Sequence, residues 1–315
     1  MKLIHCASGR MESDWAEGVP PPYAILSHTW AQPRDGSPGE VTYQDYVTGR
    51  KASPSRNWEK IDRAIQITIE DGLEYIWIDS CCIDKTSSAE LSEAINSMFQ
   101  WYSAAAVCYA YLEDYDKEAK GKLASCKWFY RGWTLQELIA PARVEFYDKD
   151  WKNLGSRQSL SDAIADITNV DREILLADSV EATSRLLYQA PIAKRFSWAS
   201  KRATTRPEDL AYCLLGIFQV NMPLLYGEGR RAFIRLQKEI MKDSDDLTIF
   251  AWQAPPGYKE SMSEFRGILA TSADEFSLPA EVMRTHAAGF NPSFEVTNKV
   301  SAVLDIISKP KQGLT

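Results

Sequence analysis

Hydrophobic and polar positions follow two rhythms over the first 150 residues. Residues 23–30 (YAILSHTW) form a short, nearly continuous apolar run that breaks abruptly into polar groups. That is the pattern of a strand buried on both faces, as in a parallel sheet. Residues 75–79 (YIWID), 107–112 (VCYAYL) and 144–147 (VEFY) repeat it. Between these runs the apolar spacing changes to that of a helix. Over 58–71, Ile61, Ala64, Ile65 and Ile69 share a face, with Asn57 as the expected cap and Gly72 as the stop. Ser87 and Glu90 read as a capping box, opening a helix with Leu91, Ile95, Met98, Phe99 and Tyr102 on one stripe. A third helix is expected over 131–138. Lys2 to Ile4 reads as a short edge strand. The connection 31–56 is rich in Pro, Gly and Ser, with 41–46 its one ordered-looking piece.

Strand and helix in alternation predict an α/β fold with a parallel sheet flanked by helices. After residue 150 the helical rhythm dominates, at 159–168, 191–201, 210–218 and 230–242, with strands expected at 247–252 and 290–296. The expected organisation is an α/β core over 1–150, a mainly helical annex over 151–253, and an irregular, partly β segment over 254–315.

Each core strand turns polar at its carboxyl end, at Ser27-His28, Asp79-Ser80, Glu113-Asp114 and Asp148. Open α/β sheets bind ligands at that edge, so Ser27, His28, Asp79 and the 131–138 helix are expected to converge on one crevice. On that helix Trp133 and Glu137 lie four apart and share a face. Leu135, Leu138 and Ile139 take the other side, and Pro141 stops the helix. An acid beside an aromatic ring suits a charged, ring-bearing ligand. Taken alone, the same pair more often reads as a core tryptophan and a solvated helix charge. Ser27 and His28 equally suit tying down the loop after their strand, and Asp79 and Asp84 equally suit turn caps.

Composition narrows the function classes. A net charge of −7 leaves no global basic field for DNA or an anionic membrane. Six cysteines without a C-x-x-C pair, and histidines only at 5, 28 and 286, offer no zinc tetrad, so no metal is expected. Cys81 or Cys82 with His28 and Asp79 has the residue types of a cysteine hydrolase, though adjacent cysteines after a buried strand more often pack in the core. Arg195, Arg202 and Arg206 suit either a phosphate site or salt bridges. No apolar leader and no run long enough for a bilayer are present, so a cytoplasmic location is expected.

Residues 23–30 (YAILSHTW), 76–85 (IWIDSCCIDK) and 131–138 (RGWTLQEL) resemble, in order and spacing, the three motif blocks of the fungal heterokaryon-incompatibility (HET) domain. The likeness continues through 197–200 (SWAS), 204–209 (TTRPED), 225–229 (LYGEG), Asp245-Asp246 and 250–252 (FAW). It implies a part in fungal non-self recognition and programmed cell death, often in front of a nucleotide-binding oligomerisation module and a repeat sensor. No phosphate-binding G-x-x-x-x-G-K-[ST] loop is present, so an effector alone, or a fragment, is expected. A more distant resemblance to TIR domains implies a flavodoxin-like, TIR-like fold for the core and implies that Glu137 cleaves NAD between ribose and nicotinamide; Thr134 stands where cysteine is usual in that block. On this reading Ser27, His28, Trp30, Asp79, Arg131 and Trp133 surround the ligand. Trp30 or Trp133 would stack on a base. Arg131 would pair with pyrophosphate or brace the helix through Asp79 or Asp84. NAD is then substrate rather than cofactor, and activation is by homo-oligomerisation. The alternative is a non-enzymatic adaptor that signals by self-association.

Overall fold

The computed structural model of the chain describes residues 1–13, 15, 18–31, 39–49, 56–119, 121–254 and 267–277. They divide into two compact units, 1–183 and 184–315.

The first unit is built on one seven-stranded sheet. Its strands are β1 (Leu3–His5), β2 (Met11–Glu12), β3 (Tyr23–His28), β4 (Tyr75–Ile78), β5 (Val107–Tyr111), β6 (Val144–Tyr147) and β7 (Asn153–Ser156). They lie in the order β2-β1-β4-β3-β5-β6-β7. The four central strands are parallel, while β1 and β2 on one edge and β7 on the other are antiparallel. Counted along the chain, the parallel strands run 2-1-3-4, the flavodoxin-like order, so the α/β expectation holds. Every residue of β3 and β5 is buried, which is why they read as unbroken apolar runs.

The helices of this unit are α1 (Tyr43–Val47), α2 (Arg56–Glu70), α3 (Asp79–Cys82), α4 (Ser88–Ala104), α5 (Thr134–Ile139), α6 (Ser161–Thr168) and α7 (Arg172–Leu176). The chain leaves β3 through α2 to reach β4 on one side. It then crosses back through α4 to β5 on the other, so the strand order reverses between β3 and β5. Successive residues of a strand point to opposite faces. The Tyr109 hydroxyl meets Asp71 at the end of α2, while the Cys108 thiol meets the Glu137 carbonyl of α5. The helices therefore cover both faces, with α4 and α5 together on one, where the Gln136 amide reaches Met98 Sδ at 3.2 Å.

Three local expectations are corrected. Helix α2 begins at Arg56, so Asn57 lies inside it, and its amide donates to the Gly39 carbonyl. Ser87 accepts from the Glu90 amide, but the Glu90 carboxylate reaches past Ser87 to the Asp84 amide and to Lys2, leaving half a capping box. Helix α5 begins at Thr134 after the 3-10 turn Lys127–Tyr130. All six of its residues are buried, so it has no solvated side.

The second unit is mainly helical, with α9 (Ile192–Ser197), α10 (Asp209–Tyr212), α11 (Leu215–Phe218) and α12 (Arg231–Asp243), preceded by α8 (Val180–Gln189) across the division. Phe196 is its packing centre, with ring centroids 4.4 Å from Phe218, 5.1 Å from Phe233 and 4.7 Å from Phe276. Asp246 and Thr248 accept from the amides of Ile192 and Ala193, capping α9 from a distant part of the chain. The strand expected at 247–252 is instead a 3-10 turn, Leu247–Phe250, because the Asp246 side chain takes the Thr248 amide and curls the backbone. The helix expected over 210–218 breaks into α10 and α11. The strand expected at 290–296 lies outside the described residues. Among those residues no helix is long and apolar enough to cross a membrane.

Candidate ligand site at the carboxyl edge of the sheet

Ser27 and His28 end β3 at the point where the strand order reverses. As neighbours on a strand they face opposite sides of the sheet, and each anchors a different polar cluster.

On the α5 side, the Ser27 hydroxyl donates to Glu137 Oε2 and accepts from Trp128 Nε1 at 2.8 Å. The Thr134 hydroxyl donates to the Trp128 carbonyl, fixing the 3-10 turn to the start of α5. Glu137 is only 6% exposed. Burial, with the Asp79 charge adding to it, raises its carboxyl to about 8 against the opposing effects of the Ser27 hydrogen bond, the Arg131 charge and Tyr102. In the ligand-free chain Glu137 therefore keeps its proton at neutral pH. Trp133 occupies the cap position of α5 in helical conformation, one turn ahead of Glu137, and is half-buried, as is Arg131.

On the α2 side, the Lys60 ammonium lies 2.9 Å from His28 Nδ1 and 2.7 Å from Glu40 Oε2. On its other side, His28 Nε2 meets Asp79 Oδ1 at 3.0 Å. Trp30 Nε1 donates to Asp79 Oδ2 at 2.8 Å. Burial would raise the Asp79 carboxyl, but the His28 hydrogen bond, the Lys85 charge and the Trp30 hydrogen bond outweigh it and hold it at about 2. Burial likewise acts upward on Glu40; His28, Lys60 and the Ala31 amide outweigh it and keep that acid below the ordinary range. Glu40 Oε1 is buried and has no hydrogen-bond partner among the described residues. Lys85 Nζ stands 3.0 Å above the centroid of the Trp30 ring. Trp30, Glu40 and Lys85 border a groove of about 170 Å³ between residues 40–44 and the loop 83–86.

The structure thus joins Ser27 directly to Glu137, and His28 and Trp30 directly to Asp79. The Asp79 charge, which acts on Glu137, links the two clusters. Sequence reasoning missed Trp128, Tyr102, Lys60, Glu40 and Lys85. Lys60 left one usable signal, a cation directly before Ile61 on an apolar stripe; Glu40, in a Gly/Pro-rich connection, left none. The cysteine hydrolase is not built. Burial pushes the Cys81 thiol up to about 12 and Cys82 well above its ordinary value, and His28 is engaged with Lys60 and Asp79. Nor do the three arginines form a phosphate cradle. Buried Arg195 bonds the Ile217 carbonyl and buried Arg202 the Trp198 carbonyl, while Arg206 lies over the Tyr226 ring.

Fold and site together define a doubly wound α/β domain with an acid buried at the carboxyl edge of its parallel strands. Residues 23–125 match the family model described as heterokaryon incompatibility protein (HET). Over 268 residues the chain is 41% identical to vegetative incompatibility protein HET-E-1 of Podospora anserina, a match covering 82% of this chain and 19% of that relative. The chain is a HET-domain protein, and it spans about a fifth of the length of the curated relative it matches. No solved structure matches it.

Proposed function

We propose that the chain is an effector of vegetative incompatibility that triggers cell death in the cytoplasm by hydrolysing NAD at the nicotinamide–ribose bond. The observation that carries this reading is the position of Glu137. It lies beside Ser27 at the reversal of strand order, where doubly wound sheets bind nucleotides. The role in incompatibility draws on the likeness to a protein of that name.

The chemistry suits an acid of this kind. As the bond from ribose to the ring nitrogen breaks, positive charge develops on the ribose and nicotinamide leaves with the electron pair as a neutral amide. Water then adds to the ribose carbon and loses a proton, giving ADP-ribose. A carboxylate beside the ribose stabilises that charge. Glu137 is protonated in the free chain, yet a cationic substrate lowers the pKa of a neighbouring acid. Binding the pyridinium therefore draws Glu137 into the charged form that the transition state needs. Trp133, one turn away, supplies an aromatic face and Arg131 a cation for pyrophosphate. Activation is by self-association, with a nucleotide-binding oligomerisation and repeat protein as the recruiting partner.

The test is free nicotinamide measured after incubating NAD with the purified chain, both alone and clustered through a fused oligomerising tag. Release is expected from the clustered form and lost in Glu137→Gln; equal release from that variant would remove Glu137 from the mechanism. A second reading, a non-enzymatic adaptor, is favoured by one observation. Glu137 is almost fully covered and bonded into a Ser27–Trp128 network, as a structural acid would be. Under that reading NAD stays intact and Glu137→Gln alters only assembly or stability.

A further inference from the structure

The groove beside Trp30 has a composition that the Glu137 chemistry does not explain. Its walls are residues 40–44 and 83–86, and one side is the Trp30 ring. That ring is held by its indole N–H on Asp79 at 2.8 Å, so its face is fixed. An ammonium already lies on it, because Lys85 Nζ is 3.0 Å from the centroid. The groove is also bordered by Glu40, whose side chain is 4% exposed and whose Oε1 lacks a hydrogen-bond partner among the described residues. A buried acceptor left unpaired costs free energy that a donor on a ligand would recover. An aromatic face already holding a cation, an unpaired anionic acceptor, and about 170 Å³ of space together specify an occupant. It is flat, positively charged, one ring in size, and carries an N–H donor.

We propose that this groove binds a cationic nitrogen heterocycle bearing a carboxamide, such as a pyridinium carboxamide, and that Lys85 plugs it in the resting chain. The ring stacks on Trp30 in place of the Lys85 ammonium, and the carboxamide N–H donates to Glu40 Oε1. Lys85 is exposed and on a loop, so it can swing into water when displaced. The proposal rests on the NAD reading for its biological ligand, but its binding claim is independent of any bond cleavage.

The probe is N1-methylnicotinamide, which has the charged ring and the amide but no scissile ribose bond. Binding is followed by calorimetry and by the indole N–H resonance of Trp30, with folding of each variant checked by circular dichroism. Removing the plug in Lys85→Ala is expected to tighten binding roughly fivefold, the size of a modest cation–π competition. Lys85→Arg, which keeps a cation over the ring, is expected to leave it unchanged, and neutral nicotinamide to bind more weakly than the methylated cation. Trp30→Leu is expected to abolish the tightening in a Lys85→Ala background. Equal affinity in wild type and Lys85→Ala, or undiminished binding in a folded Trp30→Leu variant, overturns the proposal. Binding that follows this pattern in a chain releasing no nicotinamide from NAD supports the groove and overturns the hydrolase. Release of nicotinamide with N1-methylnicotinamide binding indifferent to both variants overturns the groove alone.

Discussion

Glu137 is the side chain on which the enzymatic reading turns, and its burial has consequences for stability as well as chemistry. In the folded chain it holds its proton up to about pH 8, against an ordinary value of 4.5. Between those two values the unfolded chain has lost the proton and the folded chain has not. Stability conferred by this group is therefore present at pH 4 and falls as pH rises toward 8, by on the order of a few kcal/mol. Glutamine is the neutral counterpart of the protonated acid and does not titrate. Urea unfolding of wild type and Glu137→Gln at pH 5 and pH 8 is expected to show the variant gaining relative stability at the higher pH. A constant difference would mean that Glu137 is ionised in the folded state at both. Asp79 has the opposite sign. Its carboxyl is held at about 2, so its contribution is present above its ordinary 3.8 and disappears as pH falls through 2. In turnover, Glu137→Gln is expected to lower nicotinamide release by about a hundredfold or more, the usual scale for losing one charged group from a developing cation. Ser27→Ala should orphan Trp128 Nε1 and remove a hydrogen bond that holds the Glu137 pKa down. The expected result is a further rise of that pKa, read by NMR titration, and a loss of about 1–3 kcal/mol of stability.

At the scale of elements, α5 is short and wholly buried, so its own propensity cannot hold it. Its carboxyl end is held by Arg157, which is 0% exposed. The guanidinium donates to the carbonyls of Leu138 and Ile139 in the last turn of α5, of Pro141 and Ala142 just after it, and of Leu175 and Ala177 at the end of α7. One planar cation thus satisfies carbonyls that two helix ends leave unpaired. A lysine keeps the charge but has a single nitrogen. Arg157→Lys is expected to cost about 3 kcal/mol in denaturant unfolding, the scale of breaking a buried charged network. It should also lower nicotinamide release without touching any ligand, since α5 carries Glu137. Unchanged stability would show that water replaces those bonds at no cost.

At the scale of the whole molecule, the proposed activation by self-association would have to work against charge. The chain carries a formal charge of −7, so any two copies brought together repel one another, and that repulsion is screened by salt. Activation by self-association should therefore be salt-dependent. Between about 10 mM and about 150 mM ionic strength, where the screening length falls from about 30 to about 8 Å, light scattering should show increased association. Nicotinamide release per chain should rise in step. Release that climbs while the chain stays monomeric would detach activity from assembly.

The order of strands and helices was readable because burial on both faces leaves an unbroken apolar run, as in 23–28 and 107–111, and because helices wrapped on a sheet keep a 3.6-residue stripe, although on α2 the expected Ile69 is exposed and Ile67 and Thr68 are buried in its stead. The polar strand ends were equally readable, since a parallel sheet ends all its strands at one edge. The sequence therefore determined the four central parallel strands, their polar edge and the acid on α5, but not the antiparallel rim strands β2 and β7, which are too short and too little buried to leave a readable run. It did not determine that Ser27 and His28 serve opposite faces, that Glu40 and Lys60 join His28, that Lys85 covers Trp30, or that Arg157 caps two helices. Each of these is a meeting of side chains far apart along the chain, which leaves no periodic mark on it. The protonation of Glu137 was decided by tertiary structure as well, because a carboxyl's pKa depends on the water it has lost and the charges that surround it. Neither is a property of the residue or of its neighbours in sequence.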